Sequence, residues 1–206
     1  MNAALVVAHP DDETLWAGGT ILANPQWDWF IVALCRAHDP DRAPRFFRAL
    51  ERLGAVGTIA DLDDGPDQIP LEQQEVEERV LSLLGDTSFR LVLTHGPRGE
   101  YTRHLRHEET SRAVAALWSD GRIRADSLWM FAYEDGGRRY LPRAEREAHL
   151  KNVLEQELWQ RKYEIITEIY GFAEDSFEAK TTPRAEAFWC FNSRQELEEW
   201  MSKEGG

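Results

Sequence analysis

The sequence predicts an α/β fold, one domain built on a mostly parallel sheet with helices on both faces. Three observations lead there. At 206 residues the chain is about one domain long, enough to bury a full core without disulfide or metal staples. Continuous apolar runs of strand length recur along its first two thirds, as in strands buried on both faces. Amphipathic segments alternate with them, and alternation through short connections implies right-handed crossovers and a parallel sheet.

Residues 4–8 and 29–34 are the clearest strands, residues 55–60 and 90–94 are weaker cases, and residues 127–133 supply a fifth. Phe46, Phe47, Leu50 and Leu53 share a helical face that stops at Gly54, a C-terminal cap. Val76, Val80, Leu83 and Leu84 do the same before Gly85, with Glu72 and Glu75 suited to the first turns. A third helix covers residues 105–118. After Gly137 the pattern changes: residues 143–170 read as largely helical and polar, 188–191 as a short aromatic run, and 194–203 as a terminal helix. The expected organisation is a core over 1–137 and a helical, aromatic extension over 138–206 packed against the sheet.

The formal charge of −13 and pI near 4.9 argue against nucleic acid or an anionic membrane surface as the main partner. A hydrophobic share of 42% is too high for a disordered chain. Cys35 and Cys190 cannot build a disulfide scaffold. The opening residues lack a basic segment before their apolar run, and no stretch approaches a membrane span, so a cytoplasmic location is expected.

In open parallel sheets ligands bind beyond the carboxyl ends of the strands. Five of the six histidines fall there: His9 after the first strand, His38 after the second, His95 after the fourth, and His104 and His107 opening the next helix. His149 sits apart, in the polar helical region. His9-Pro10-Asp11-Asp12-Glu13 reads in part as a helix start, with an Asp as N-cap and acids matching the dipole. That leaves His9 unexplained. A tight turn can bring His9 and Asp12 onto one ion while Asp11 points elsewhere, free to take a proton. Hydrolytic zinc keeps three N/O protein ligands and an open position. Histidines three apart on a helix face the same way, so one of His104 and His107 completes the set and the other faces substrate. Iron or cobalt suits the same donors. Arg98, Arg103 and Arg106 are either solvated surface arginines or contacts to a negative group on the substrate, and His38 and His95 join them as candidate substrate contacts.

Ala8-His9-Pro10-Asp11-Asp12-Glu13-Thr14-Leu15 followed by Gly18-Gly19 resembles the signature of the LmbE/PIG-L-like de-N-acetylase family. Thr94-His95-Gly96, Gly99-Glu100-Tyr101 and His104-x-x-His107 resemble its second block, with Leu53-Gly54 and Asp64-Gly65 between. The resemblance implies a Rossmann-like fold and a mononuclear zinc hydrolase that removes acetyl from N-acetylated amino sugars. It also implies His9, Asp12 and His107 as metal ligands, Asp11 as general base, and His104 as the histidine that stabilises the oxyanion or protonates the leaving amine. Tyr101 lies close to the family's tyrosine near the carbonyl oxygen. Arg106 stands where Asp is commoner, which suggests a branch with a different substrate.

Three rival functions stand against this one. A nucleotide-binding module fails because the first strand leads into His-Pro-Asp-Asp-Glu and not into a glycine-rich loop. A metal-binding member without catalysis fits less well, since every polar role is filled. A hydrolase of another amide, carbamoyl or ester bond needs the same residues.

Overall fold

The computed structural model describes residues 1–102 and 104–204. Its main sheet has seven strands in the order β3-β2-β1-β4-β5-β9-β8. Five come from the first two thirds: β1 Asn2–Val7, β2 Asp28–Ala33, β3 Val56–Ile59, β4 Ser88–Thr94 and β5 Arg124–Phe131. All four pairings among them are parallel, as the alternation requires. Helices α1 (Asp12–Ala23), α2 (Arg42–Leu53), α3 (Gln73–Leu84) and α4 (Leu105–Ser119) make the crossovers. Gly54 and Gly85 end α2 and α3 at φ 73° and 59°, left-handed values that only glycine adopts freely.

The strand pleat sorts the core into two layers. Leu5 and Val7 of β1 face Leu15, Trp16 and Ile21 of α1 and Phe46 and Leu50 of α2. Ala4 and Val6 face Val76 and Val80 of α3 and Val114 and Leu117 of α4. Among the described residues no helix is long and apolar enough to cross a membrane.

The C-terminal third departs from expectation. Residues 143–170 do not begin as a helix. After the two-residue strand β6 (Tyr133–Glu134) come β7 (Arg143–Ala144), which pairs with it, and β8 (Leu150–Val153). Only then follow α5 (Gln156–Glu164) and a π-helical turn, Ile165–Ile169. His149 therefore lies ahead of β8, where its Nδ1 meets the backbone of Cys190, and not in a helix. The aromatic run belongs to β9 (Ala185–Phe191), which pairs antiparallel with β5 on one side and β8 on the other. Tertiary pairing overrides a polar local pattern here: β8 alternates half-buried and exposed residues, weak local evidence for a strand. Two short helices complete the chain, α6 (Phe177–Thr181) and α7 (Arg194–Glu204), and Leu197 of α7 packs into the second layer.

The same third clamps α1. Glu186 of β9 is fully buried and accepts the backbone N–H of Gly19 (2.7 Å), the backbone N–H of Thr20 (2.6 Å) and the Thr20 hydroxyl (2.6 Å). Lys162 of α5, also fully buried, closes the group at 2.7 Å. A Cβ at Gly19 would stand 2.5 Å from the Leu154 methyls, so the close approach depends on glycine. Deleting one partner of a buried ion pair costs about 3–5 kcal/mol because the other is left uncompensated. Glu186→Leu, which strands Lys162 and two helical N–H groups, is expected to lose at least that much in urea unfolding. Lys162→Met should lose less, since Glu186 keeps three donors from α1. Equal losses in the two variants would show that the carboxylate is not the anchor.

Candidate metal centre and active site

The strand order reverses between β1 and β4: β1 leads to β2 and β3 on one side, while β4 and β5 continue on the other. α1 and α4 leave on opposite faces, which opens a crevice beyond the carboxyl ends of β1 and β4. His9-Pro10-Asp11 follows β1, and His95 follows β4. Asp11 has φ 108°, a left-handed value that costs a non-glycine residue about 1–3 kcal/mol. Buried Glu13 holds that turn. It accepts the Asp11 N–H (2.9 Å) and the Tyr170 hydroxyl (2.7 Å).

The strained turn points the two aspartates apart. Asp11 occupies the N-cap position of α1 but makes no side-chain cap. Its carboxylate takes a hydrogen bond from Arg42 Nη1 at 2.8 Å. Burial and the neighbouring Asp12 charge push its carboxyl well above the usual range, while Arg42 pulls it back. Asp12 turns inward, with Oδ1 accepting from Trp16 Nε1 (3.1 Å) and Oδ2 accepting the His9 N–H (2.9 Å).

Asp12 Oδ2, His9 Nδ1 and His107 Nε2 form a triangle with sides of 3.2, 3.2 and 3.3 Å. Three N/O donors about 2.0–2.1 Å from one tetrahedral ion stand roughly 3.3–3.4 Å apart, so these side chains fit a metal. The charges agree. Burial disfavours charge on His107, but Asp12 and Glu100 outweigh it and hold its pKa up at about 10, a demand for positive charge that a cation meets in place of a proton.

Glu100 orients this ligand. It is fully buried, and its Oε2 lies 2.6 Å from His107 Nδ1 and 2.8 Å from His95 Nδ1, while Oε1 accepts the Gly96 N–H at 2.9 Å. Both imidazoles therefore carry their proton on Nδ1. The Nε2 of His107 faces Asp12 and is the atom at which a cation would replace the ring's second proton. His95 Nε2 instead accepts the Ala8 N–H at 2.9 Å. That bond commits His95, and burial holds its pKa below the ordinary value. His9 has a similar partner in Asp64, whose Oδ2 lies 3.4 Å from His9 Nε2.

His104 stacks on His107 with ring centroids 3.9 Å apart, and its buried Nδ1 has no hydrogen-bond partner among the described residues. Burial and the charges of His107 and His9 lower its pKa to about 3, so the ring is neutral. Tyr101 stands edge-on to it at 5.3 Å, and burial with the charges of Asp12 and Glu100 raises the phenol, which keeps its proton. His9, Asp11, Asp12, Tyr101 and His104 share one cavity of about 450 Å³.

The other expected contacts lie elsewhere. His38 has an 88% exposed side chain paired with Asp61 at 2.6 Å and does not line this cavity. Arg98 lines a neighbouring cavity of about 600 Å³ across Tyr101 and lies 3.5 Å from Glu145. Arg106 is buried, not a surface or substrate contact: it donates to Asp63 O (2.6 Å), Glu109 (2.5 Å) and Ile69 O (2.8 Å), tying α4 to the loop after β3. His95 is walled in by its own hydrogen bonds. Arg103 falls outside the described residues. Sequence reasoning gave no site role to Glu100, Asp64, Glu13 and Arg42, although Glu13, Asp64 and Glu100 stand in the quoted motifs and Arg42 opens α2 just after the loop that follows β2.

The family described as PIG-L, GlcNAc-PI de-N-acetylase, matches residues 4–118. The uncharacterized protein L374 of Acanthamoeba polyphaga mimivirus is 23% identical over 144 residues, which cover 63% of this chain and 61% of that protein. This chain thus spans about three fifths of the curated relative it matches. N,N'-diacetylchitobiose deacetylase from Pyrococcus horikoshii is similar in fold, with TM-score 0.67, 15% identity and coverage of 93% of this chain and 84% of that one. The zinc-inhibited form of teicoplanin deacetylase Orf2 gives 0.65, 14%, 94% and 99%. The 4-carboxy-2-hydroxymuconate hydratase GalB from Pseudomonas putida KT2440 gives 0.59, 17%, 88% and 83%.

Carboxylates that orient metal-binding imidazoles typically contribute about 10–100-fold in metal affinity. Glu100→Gln is expected to weaken zinc binding by about that factor in chelator competition, with the fold intact. Unchanged affinity would mean that His107 needs no such partner.

Proposed function

The chain belongs to the PIG-L family, and from that premise we propose that it is a metal-dependent hydrolase that removes acetyl, or a similar acyl group, from an N-acylated amino sugar or its conjugate. The observation that carries the proposal is the triangle of His9, Asp12 and His107 beside a separately held Asp11. Zinc, the first candidate for that triangle, supplies Lewis acidity that polarises an amide carbonyl and acidifies water.

The chain's own residues supply the rest. Asp11, raised by burial and the Asp12 charge, has the basicity to take a proton from the attacking water. As the C–N bond breaks, the same carboxylic acid returns that proton to the departing amine, and the water's second proton passes from the new carboxylic acid to the amine or solvent, so the products at neutral pH are a carboxylate and an ammonium. Arg42 keeps Asp11 from turning towards Asp12. The developing oxyanion meets two neutral groups: His104, whose Nδ1 has no partner among the described residues, and Tyr101, which retains its proton. A neutral imidazole suits oxyanion stabilisation by hydrogen bonding better than it suits donating a full proton. That divides the labour the resemblance left open, giving the amine's proton to Asp11.

The test is acetate and amine release from N-acetylglucosamine and its oligomers by zinc-loaded protein, before and after chelation. Asp11→Asn should keep stoichiometric zinc while turnover falls about 10²–10⁴-fold. An active Asp11→Asn protein would remove the base from this residue. Zinc loss in that variant would instead make Asp11 a ligand.

A further inference from the structure

We propose that Phe177 and Glu178 select substrate by charge: the group attached to the acylated nitrogen carries a protonated amine, and phosphorylated or carboxylated conjugates are disfavoured. The inference rests on the hydrolase reading above and adds a substrate class to it.

The cavity that holds the triangle is lined mostly by residues within the stretch the family matches; Phe177 and Glu178 of α6 come from beyond it. Selectivity of this branch can therefore differ here without disturbing the shared chemistry. Phe177 is 38% exposed, with its ring packed edge-on to Tyr101 at 5.1 Å, so it presents an aromatic wall at the cavity. The next residue supplies a carboxylate to the same cavity. Among the described residues, Glu178 makes no side-chain hydrogen bond or ion pair, although its charge is felt at the Tyr101 phenol.

Among the described residues, every other charged group lining the cavity is committed. Asp11 is held by Arg42 at 2.8 Å and Asp64 by Arg36. Asp39 accepts the backbone N–H groups of Asp41 and Arg42, both at 2.9 Å. Asp12 and His9 belong to the triangle. The two arginines are thus occupied, and among the described residues lining the cavity no free cation is left for a phosphate. The approach to α6, Glu174-Asp175-Ser176-Phe177-Glu178, carries three acids and no base. An aromatic face beside an uncompensated carboxylate is the pairing an ammonium group takes, through cation–π attraction and a charge-assisted hydrogen bond. A helix-start role for Glu178 does not explain the pair: Ser176 already caps α6 through the Ala179 N–H at 3.1 Å.

Ligands of different charge test this on the full zinc-loaded chain: mono-N-acetylchitobiose with its amine protonated, neutral N,N'-diacetylchitobiose, and anionic N-acetylglucosamine 6-phosphate, the last read against neutral N-acetylglucosamine to allow for its single ring. Equilibrium binding by calorimetry is measured beside kcat/KM. The expected order in both is cationic, then neutral, then anionic, with about a three- to thirtyfold preference for the first over the second. Glu178→Gln should reduce that preference to within about twofold, Glu178→Lys should favour the phosphate, and Phe177→Ala should weaken the cationic ligand most. A wild-type order without cationic preference, a preference untouched by Glu178→Gln, or no binding by any ligand overturns the proposal. If the binding order holds with no ligand cleaved, the hydrolase reading falls and charge selection stands. Cleavage without charge preference leaves the hydrolase standing and removes the charge selection.

Discussion

The shared carboxylate of Glu100 is the interaction on which the site depends. A buried carboxylate without a nearby Lys or Arg is costly unless donors surround it. Glu100 finds the Gly96 N–H after β4 and the Nδ1–H groups of His95 and His107. His95 passes the constraint to β1 by accepting the Ala8 N–H. One side chain thus joins the two strand ends that flank the crevice to the first turn of α4. It also fixes Nδ1 of both imidazoles as the donor, so that Nε2 of His107 faces Asp12 while Nε2 of His95 is taken by the Ala8 N–H. The two histidines differ in role through hydrogen bonding alone, although both are fully buried in the same place.

The opposite wall rests on strain. Asp11 occupies an unfavourable backbone region because Glu13 takes its N–H, and Tyr170 in turn holds Glu13. Lys162 and Glu186 fix the middle of α1, the helix that Asp11 and Asp12 open. These supports lie in α5, the end of the π-helical turn and β9, outside the stretch the family matches. The C-terminal third is therefore not an appendage to the fold. It holds the Asp11–Asp12 turn from behind, and a turn so anchored can keep two adjacent carboxylates on divergent courses.

Much of this was legible in the sequence for identifiable reasons. The central strands β1 and β2 are apolar on both faces over most of their length, so their runs stand out without alternation, and Gly54 and Gly85 end helices by a backbone requirement that few residues share. The convergence of His9 and Asp12 with one of His104 and His107 followed from placing motifs at carboxyl ends of strands, and the resemblance pointed to His107. What stayed hidden depends on contacts distant in sequence. β8 is a strand because β9 lies beside it, and its own residues alternate without a strong apolar face. Arg106 looked like surface at a helix start, yet it is buried because carbonyls of the Asp63–Ile69 loop reach it. Glu100 could not be separated by type from the many other acids of this chain; only its three donors distinguish it.

The geometry separates the triangle from the cavity rim. His9, Asp11, Asp12, Tyr101, His104 and His107 fall within residues 4–118 and are locked by buried hydrogen bonds, strain or ring packing, so substitution there disturbs several partners together. Phe177 and Glu178 stand on a five-residue helix at the rim, partly exposed and largely free of such ties. On the proposed reading, a change at the rim would alter which molecule enters while leaving the triangle and Asp11 in place. In this chain the rim residues Phe177 and Glu178 are aromatic and acidic, while Arg42 and Arg36, the arginines lining the cavity among the described residues, are already engaged by Asp11 and Asp64.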